Sequence, residues 1–197
     1  MVSDPVLQWV LTVAFSATGL YAIVRVGVDR RPLLVVGDAL HLLMSVGMVA
    51  MCWLWWSAIP ATAQIVVFGL ATVWFAVLLV LQLARRLPRA ALGGHSPWHQ
   101  AAHAIMMLAM VWMTLSMTTG ETAGDHSHHH GRGLPMWAAL SGVALTAALL
   151  AAGVIFLVEL IVCLRGRTTW LGHTGDVAAG TAMSLGMAAM CWPMITG

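Results

Sequence analysis

Residues 44–53 of the chain have the sequence MSVGMVAMCW, and residues 183–192 have the near-identical sequence MSLGMAAMCW. Both stretches are rich in methionine, carry no charge and lie inside longer apolar segments. A near-copy within one chain indicates that the fold is built from repeated units. The composition of the chain shows whether those units fold in water or in a lipid bilayer.

The chain is too apolar for a water-soluble domain. Of its 197 residues, 60% are hydrophobic and only 8% are charged, and the mean hydropathy is +0.89. Apolar segments long enough to cross a bilayer recur along the whole sequence. We predict an all-α fold, a single integral membrane domain of six transmembrane helices, with the first helix retained rather than cleaved because no basic segment precedes it. The predicted helices cover residues 6–25, 33–57, 61–84, 98–119, 136–160 and 174–195.

The arginines indicate how the chain is oriented. Every basic residue except Arg132 lies in or beside the loops that follow predicted helices 1, 3 and 5. By the positive-inside rule these loops are cytoplasmic, and both termini lie outside the plasma membrane. The lipid bilayer is therefore the main predicted partner. A net charge of +2 gives no sign of a nucleic-acid partner.

Methionine follows a strict pattern on the even-numbered helices. Apart from Met1 and Met136, every methionine lies in predicted helix 2, 4 or 6. In helices 2 and 4 a histidine, His41 or His103, heads a row of identical spacing, and helix 6 repeats the row with Gly180 in place of the histidine. At about 100° per residue, each row forms a stripe on one helix face. The rows are Met44, Met48 and Met51; Met106, Met110 and Met113; and Met183, Met187 and Met190.

This pattern predicts a bundle of three repeated helix pairs, in which the even-numbered helices line a shared interior. A histidine with two or three thioethers is a suitable ligand set for Cu(I), because soft ligands select that ion. Methionine also fills irregular gaps between helices, so packing is the alternative interpretation of the same rows.

Ionisable side chains lie at the same depth as the two histidines, and such groups within a membrane span are usually functional. Asp38 lies one helical turn before His41 and is predicted to orient its imidazole ring. His99 and Asp176 are predicted to support the metal site in the same way.

A polar segment, residues 120–134, separates predicted helices 4 and 5, and the inferred orientation places it outside the cell. Short histidine-rich tracts are typical of metal binding. We expect this loop to collect metal near the outer ends of the methionine rows, with a solvated linker as the alternative. Its histidines are His126, His128, His129 and His130.

Three segments carry a resemblance to a known family: GDALHLLMSVGMVAMCW (37–53), HQAAHAIMMLAM (99–110) and GDVAAGTAMSLGMAAMCW (175–192). Over nearly its whole length the chain resembles small actinobacterial multi-pass membrane proteins classified as domain of unknown function 5134. That resemblance implies an integral membrane protein and no particular activity. The helices lined by histidine and methionine are also distantly similar to those of CopD-type copper-resistance membrane proteins, a likeness that transfers no residue's role.

Three functions are consistent with these patterns. The first is a copper-handling protein that binds Cu(I) through the histidine and methionine rows and relays it across or along the membrane, exchanging it with a copper donor or acceptor protein. The second is a structural or assembly subunit of a respiratory complex, in which the methionines only pack. The third is a b-type haem protein with His41 and His103 as axial ligands. The sequence contains no motif of a known enzyme class, so no enzymatic activity is predicted, and the oligomeric state stays open.

Overall fold

A computed structural model of the protein describes residues 4–28, 31–122, 136–166 and 172–196. Six of its helices are long and apolar enough to span a bilayer, as predicted. They are α1 (Pro5–Val28), α2 (Pro32–Cys52), α3 (Ala61–Leu83), α4 (Pro97–Thr122), α5 (Met136–Arg165) and α6 (His173–Thr196). No strand occurs in the described part of the chain. The protein is therefore an all-α, multi-pass membrane protein.

One helix boundary differs from the sequence prediction. The helix predicted to run to residue 57 ends at Cys52, because Trp53 adopts an extended backbone conformation. A short 3-10 helix, Leu54–Ala58, follows. The Trp53 indole N–H donates a hydrogen bond to the Thr12 hydroxyl of α1 at 3.1 Å, so a contact between helices holds the end of α2 in place.

The turn before α4 places the first histidine of the site. A second 3-10 helix, Arg89–Leu92, is joined to α4 through Gly93 and Gly94, whose φ angles are +66° and +88°. Glycine adopts this left-handed conformation without steric cost. The side-chain amide of Gln82, near the end of α3, donates a hydrogen bond to the carbonyl of His95 at 3.1 Å. The chain is thereby fixed where it enters α4.

Consecutive helices form three hairpins. Each odd-numbered helix packs most extensively against the even-numbered helix that follows it, and the hairpins meet through α1–α6, α4–α5 and α4–α6 contacts. The spans of α4 and α6 are half or more buried, at 50% and 56%, whereas α2 is 33% buried and each odd-numbered span is 28% buried. The odd-numbered helices therefore present most of their apolar surface to lipid. This arrangement agrees with the predicted helix pairs and shared interior.

The methionine rows lie in that interior. Every methionine of the three rows is buried, and the most exposed of them is Met190 at 7%. The rows join one apolar cluster with a phenylalanine from each odd-numbered helix: Phe15, Phe75 and Phe156. Since all three stripes face inward, the rows are available both for packing and for binding a small soft ion.

Candidate metal-binding site

His41 of α2 and His103 of α4 are in direct contact. Their ring centroids lie 4.4 Å apart at an interplanar angle of 42°, and Phe75 of α3 stacks on His103 at 5.1 Å. The Nδ1–H of His103 donates to the backbone carbonyl of His99, because a carbonyl oxygen can only accept. His103 therefore keeps a free lone pair on Nε2. The Nε2 of His41 is buried and has no hydrogen-bond partner among the described residues.

Three more histidines lie beside this pair, and we call them the histidine triad: His95 just before α4, His99 in the first turn of α4 and His173 at the start of α6. Their ring centroids are 5.1 to 6.2 Å apart. One ring nitrogen of each lies within 4.8 Å of those of the other two. His99 is buried and His173 is exposed, so the triad runs from the interior to the end of the bundle.

A carboxylate from α5 joins the triad. Oε1 of Glu159 lies 2.9 Å from Nε2 of His173, and Oε2 of Glu159 lies 3.6 Å from Nε2 of His99. The second distance is too long for a hydrogen bond. Three histidines and one glutamate from three helices thus converge on one point.

Asp176 of α6 supports the triad from the other side. Its Oδ1 accepts a hydrogen bond from the Tyr21 hydroxyl at 2.8 Å, and its Oδ2 lies 3.3 Å from Nε2 of His95. Nη2 of Arg25 is 3.7 Å from the same Oδ2. Asp176 therefore contacts a histidine, His95, and its support of a metal site stays a prediction.

Asp38 lies close to the same arginine. Its Oδ2 is 3.7 Å from Nε of Arg25, so Arg25 stands between the carboxylates of Asp38 and Asp176. The support of His41 by Asp38 stays a prediction.

A cavity of about 50 Å³ lies beside the histidine pair and two members of the triad. Its walls include His41, His95, His99 and His103, and none of its described lining residues is a methionine. A volume of roughly 10–15 Å³ is enough for one water molecule, so the cavity has room for a small ion with water.

The pair of histidines does not fit a haem between them. As axial ligands of one haem, each imidazole would bind the iron end-on through a ring nitrogen at about 2 Å, which places the two ring centroids about 6 Å apart on opposite sides of the porphyrin. His41 and His103 are 4.4 Å apart. The space beside Gly180 is also taken, because a Cβ atom there would lie 3.1 Å from the ring of Phe156.

Sequence reasoning found part of this site. His41, His103, His99 and Asp176 were predicted and lie in or beside the cluster. The residues that it missed as parts of the site are His95, Tyr21 and Arg25. The predicted metal-collecting histidines, His126, His128, His129 and His130, lie outside the described residues.

A signal for His95 was present in the sequence. His95, His99 and His103 recur every fourth residue, the spacing of neighbours on one helix face. Because α4 begins only at Pro97, His95 lies just before the helix, and this spacing is only a partial signal for its place in the site. No comparable local pattern marks Tyr21, which meets Asp176 across 155 positions of sequence.

Comparison with known proteins identifies a family but assigns it no function. The family described as "Domain of unknown function (DUF5134)" matches residues 33–194. Uncharacterized protein Rv0970 of Mycobacterium tuberculosis (strain H37Rv) and Uncharacterized protein Mb0995 of Mycobacterium bovis are each 35% identical over 118 residues, which is 59% of this chain and 52% of the relative. The chain thus spans about half the length of the curated relatives it matches. No solved structure matches it significantly.

Proposed function

The chain belongs to the family described as Domain of unknown function (DUF5134), and we propose from its site that it handles copper in the plasma membrane. In this proposal His41 and His103 bind Cu(I). The methionine rows of α2, α4 and α6 supply further soft ligands, along which the ion is relayed across or along the membrane. A copper donor or acceptor protein exchanges the ion with it.

The contact between His41 and His103 is the observation that carries this proposal. Nε2 of His41 has no hydrogen-bond partner among the described residues. Nε2 of His103 keeps a free lone pair, because Nδ1 of that ring is the nitrogen that donates to the carbonyl of His99. Met44 and Met106 each follow their histidine by three residues, which places them on the same helix face, and both are fully buried. Two imidazole nitrogens with thioethers beside them form a ligand set that favours Cu(I).

The burial of the rows also supports a second candidate, a structural or assembly subunit of a respiratory complex. Flexible methionine side chains fill irregular gaps between helices. Among the described residues, no methionine lines the cavity beside the histidines, which agrees with rows that fill the space between the helices. The two candidates differ in one measurable property, the binding of Cu(I) by the folded protein.

That property is tested by titrating the purified full-length protein in detergent with Cu(I), under reducing conditions and against a chromophoric chelator. The histidine-rich loop would bind the ion as well, so its histidines are first replaced. The background variant carries His126→Ser, His128→Ser, His129→Ser and His130→Ser.

In this background we expect one or more Cu(I) per chain. Binding should be lost in the His41→Ala/His103→Ala double variant. The matched control, Leu43→Ala/Leu108→Ala, changes lipid-exposed side chains on the same two helices and should bind normally. If the well-folded double histidine variant keeps its copper, the proposal is wrong and the packing candidate gains support.

The arginine distribution supports an orientation for this function. We infer that the loops joining α1–α2, α3–α4 and α5–α6 face the cytoplasm and that both termini face outward. Residues 120–134 then face outward, where the histidine-rich loop collects metal.

A further inference from the structure

We propose that the histidine triad and Glu159 form a second metal site, which binds a divalent transition-metal ion of the Zn²⁺ class. The four ligands are His95, His99, His173 and Glu159. None of them belongs to the Cu(I) ligand set of His41, His103 and the methionine rows. The proposal of this second site can therefore be tested independently of copper binding.

The distances are close to those of a bound ion. Zn–N and Zn–O bonds are about 2.0–2.2 Å long, so neighbouring ligand atoms around a tetrahedral ion are about 3.3–3.5 Å apart. The two contacts of Glu159 with His173 and His99, at 2.9 and 3.6 Å, lie on either side of that range. The triad nitrogens, within 4.8 Å of one another, must approach by roughly 1 Å. Because the His173 side chain is 44% exposed, rotation of its ring can supply the part of this movement that involves His173.

Two of the rings are already oriented as metal ligands. Nδ1 of His99 lies 2.9 Å from the Ser96 hydroxyl, while its Nε2 is buried with no hydrogen-bond partner in the described part of the chain. Nε2 of His95 lies 3.3 Å from Asp176, while its Nδ1 is likewise buried and unpartnered among those residues. In metal sites, histidine typically binds the ion with one nitrogen and gives the other to a hydroxyl, carbonyl or carboxylate.

An unpaired buried nitrogen is costly, and a bound cation removes that cost. His99 is only 3% exposed, so water does not readily satisfy its Nε2. The charge around the site also favours a cation. The carboxylates of Asp38 and Asp176 both face the guanidinium of Arg25, and the carboxylate of Glu159 faces His99 and His173, so these three carboxylates outnumber that guanidinium when the histidines are neutral.

The donor atoms define the class of ion. Three imidazole nitrogens and one carboxylate oxygen suit Zn²⁺ and its neighbours in the first transition series, whereas Ca²⁺ and Mg²⁺ prefer oxygen alone. None of the four ligands is a thioether, so the soft ion Cu(I) is not favoured here. The side chain of His173 is 44% exposed, which gives an ion access from the end of the bundle.

Titration of the full chain with Zn²⁺ tests this site. The protein is purified in detergent in the background that lacks the loop histidines, and Zn²⁺ is measured against a chromophoric chelator. We expect one Zn²⁺ per chain. His99→Ala or His173→Ala should weaken binding by about 100-fold or more, since changes outside the ligand shell already cost 10–100-fold. The control Gln100→Ala, at a buried position next to His99, should change the affinity less than about 2-fold.

Thermal unfolding gives a second readout that does not depend on the chelator. Zn²⁺ should raise the Tm of the background protein and of Gln100→Ala, because an ion that binds only the folded state stabilises it. It should not raise the Tm of His173→Ala, whose exposed side chain can be removed without disturbing the core.

The proposal is overturned if the background protein binds no Zn²⁺, or if His173→Ala keeps full affinity. Titration of His173→Ala with Cu(I) separates the two proposals. Retained Cu(I) with lost Zn²⁺ identifies two sites, whereas loss of both ions in a folded variant shows that the triad is not a separate site.

Discussion

At the residue scale, Tyr21 fixes the carboxylate that contacts His95. Its hydroxyl donates to Oδ1 of Asp176 at 2.8 Å, and the carbonyl of Gly172 is also within reach at 3.2 Å. A hydrogen bond to a charged group contributes about 1.5–3 kcal/mol to stability, more than a neutral one. Tyr21 is the chain's only tyrosine, and its replacement by phenylalanine removes both contacts of this hydroxyl.

We predict that Tyr21→Phe lowers the free energy of unfolding by about 1.5–3 kcal/mol, because it deletes the hydroxyl and keeps the ring. If Asp176 orients His95 for a metal ion, Zn²⁺ affinity should also fall by roughly 10–100-fold. Denaturant unfolding in detergent and Zn²⁺ titration measure the two effects. Leu20→Ala, on a lipid-exposed neighbour, is the control. Equal stability of Tyr21→Phe and the parent protein would contradict the assignment.

The sequence predicts single residues of the site only where a local pattern marks them. His41 and His103 stand at equivalent places in two repeats, and their contact follows from that equivalence. His95 precedes α4, and its position depends on the left-handed turn at Gly93 and Gly94. Contacts such as Tyr21 with Asp176 arise from tertiary packing between α1 and α6, which no local spacing encodes.

At the scale of helices, the number and pairing of the spans could be predicted because the bilayer imposes a minimum apolar length. The end of α2 could not be predicted from the sequence, since it depends on packing against α1. Trp53 makes an edge-on contact with Trp9 at 5.2 Å and a hydrogen bond to Thr12. The aromatic residues after Cys52 are apolar enough to continue a helix in the sequence, and these contacts with α1 end it.

Substitutions in the methionine row of α2 can distinguish a packing role of the rows from an ion-binding role. We predict that the triple variant Met44→Leu/Met48→Leu/Met51→Leu stays folded, because Leu and Met have similar volumes and each exchange costs less than about 1.5 kcal/mol. Cu(I) affinity should nevertheless fall by at least about 10-fold, since leucine supplies no sulfur ligand. Thermal unfolding and Cu(I) titration of the same sample measure the stability and the Cu(I) affinity of this variant.

Met107 provides a matched control for that experiment. It is as fully buried as Met44 but lies outside the three rows, so Met107→Leu should leave Cu(I) affinity unchanged. An unchanged affinity in the folded triple variant would show that the row of α2 only packs.

At the scale of the whole molecule, the polar cluster occupies one end of an otherwise apolar bundle. Helices α1, α3 and α5 end there, and α2, α4 and α6 begin there. Arginines such as Arg25 and Arg31 mark the same end. The orientation of the bundle in the membrane therefore decides from which side the histidine triad meets an ion.

We predict that this end faces the cytoplasm, because arginine-rich short loops are retained on that side. A membrane-impermeant maleimide should label Ser127→Cys on intact cells, and it should label Thr168→Cys only after permeabilisation. Cys52, Cys163 and Cys191 are buried, so the parent protein is the control for background labelling. The reverse labelling pattern would place the triad on the outer side of the membrane. An external metal ion would then meet the histidines of the triad before those of the loop between α4 and α5.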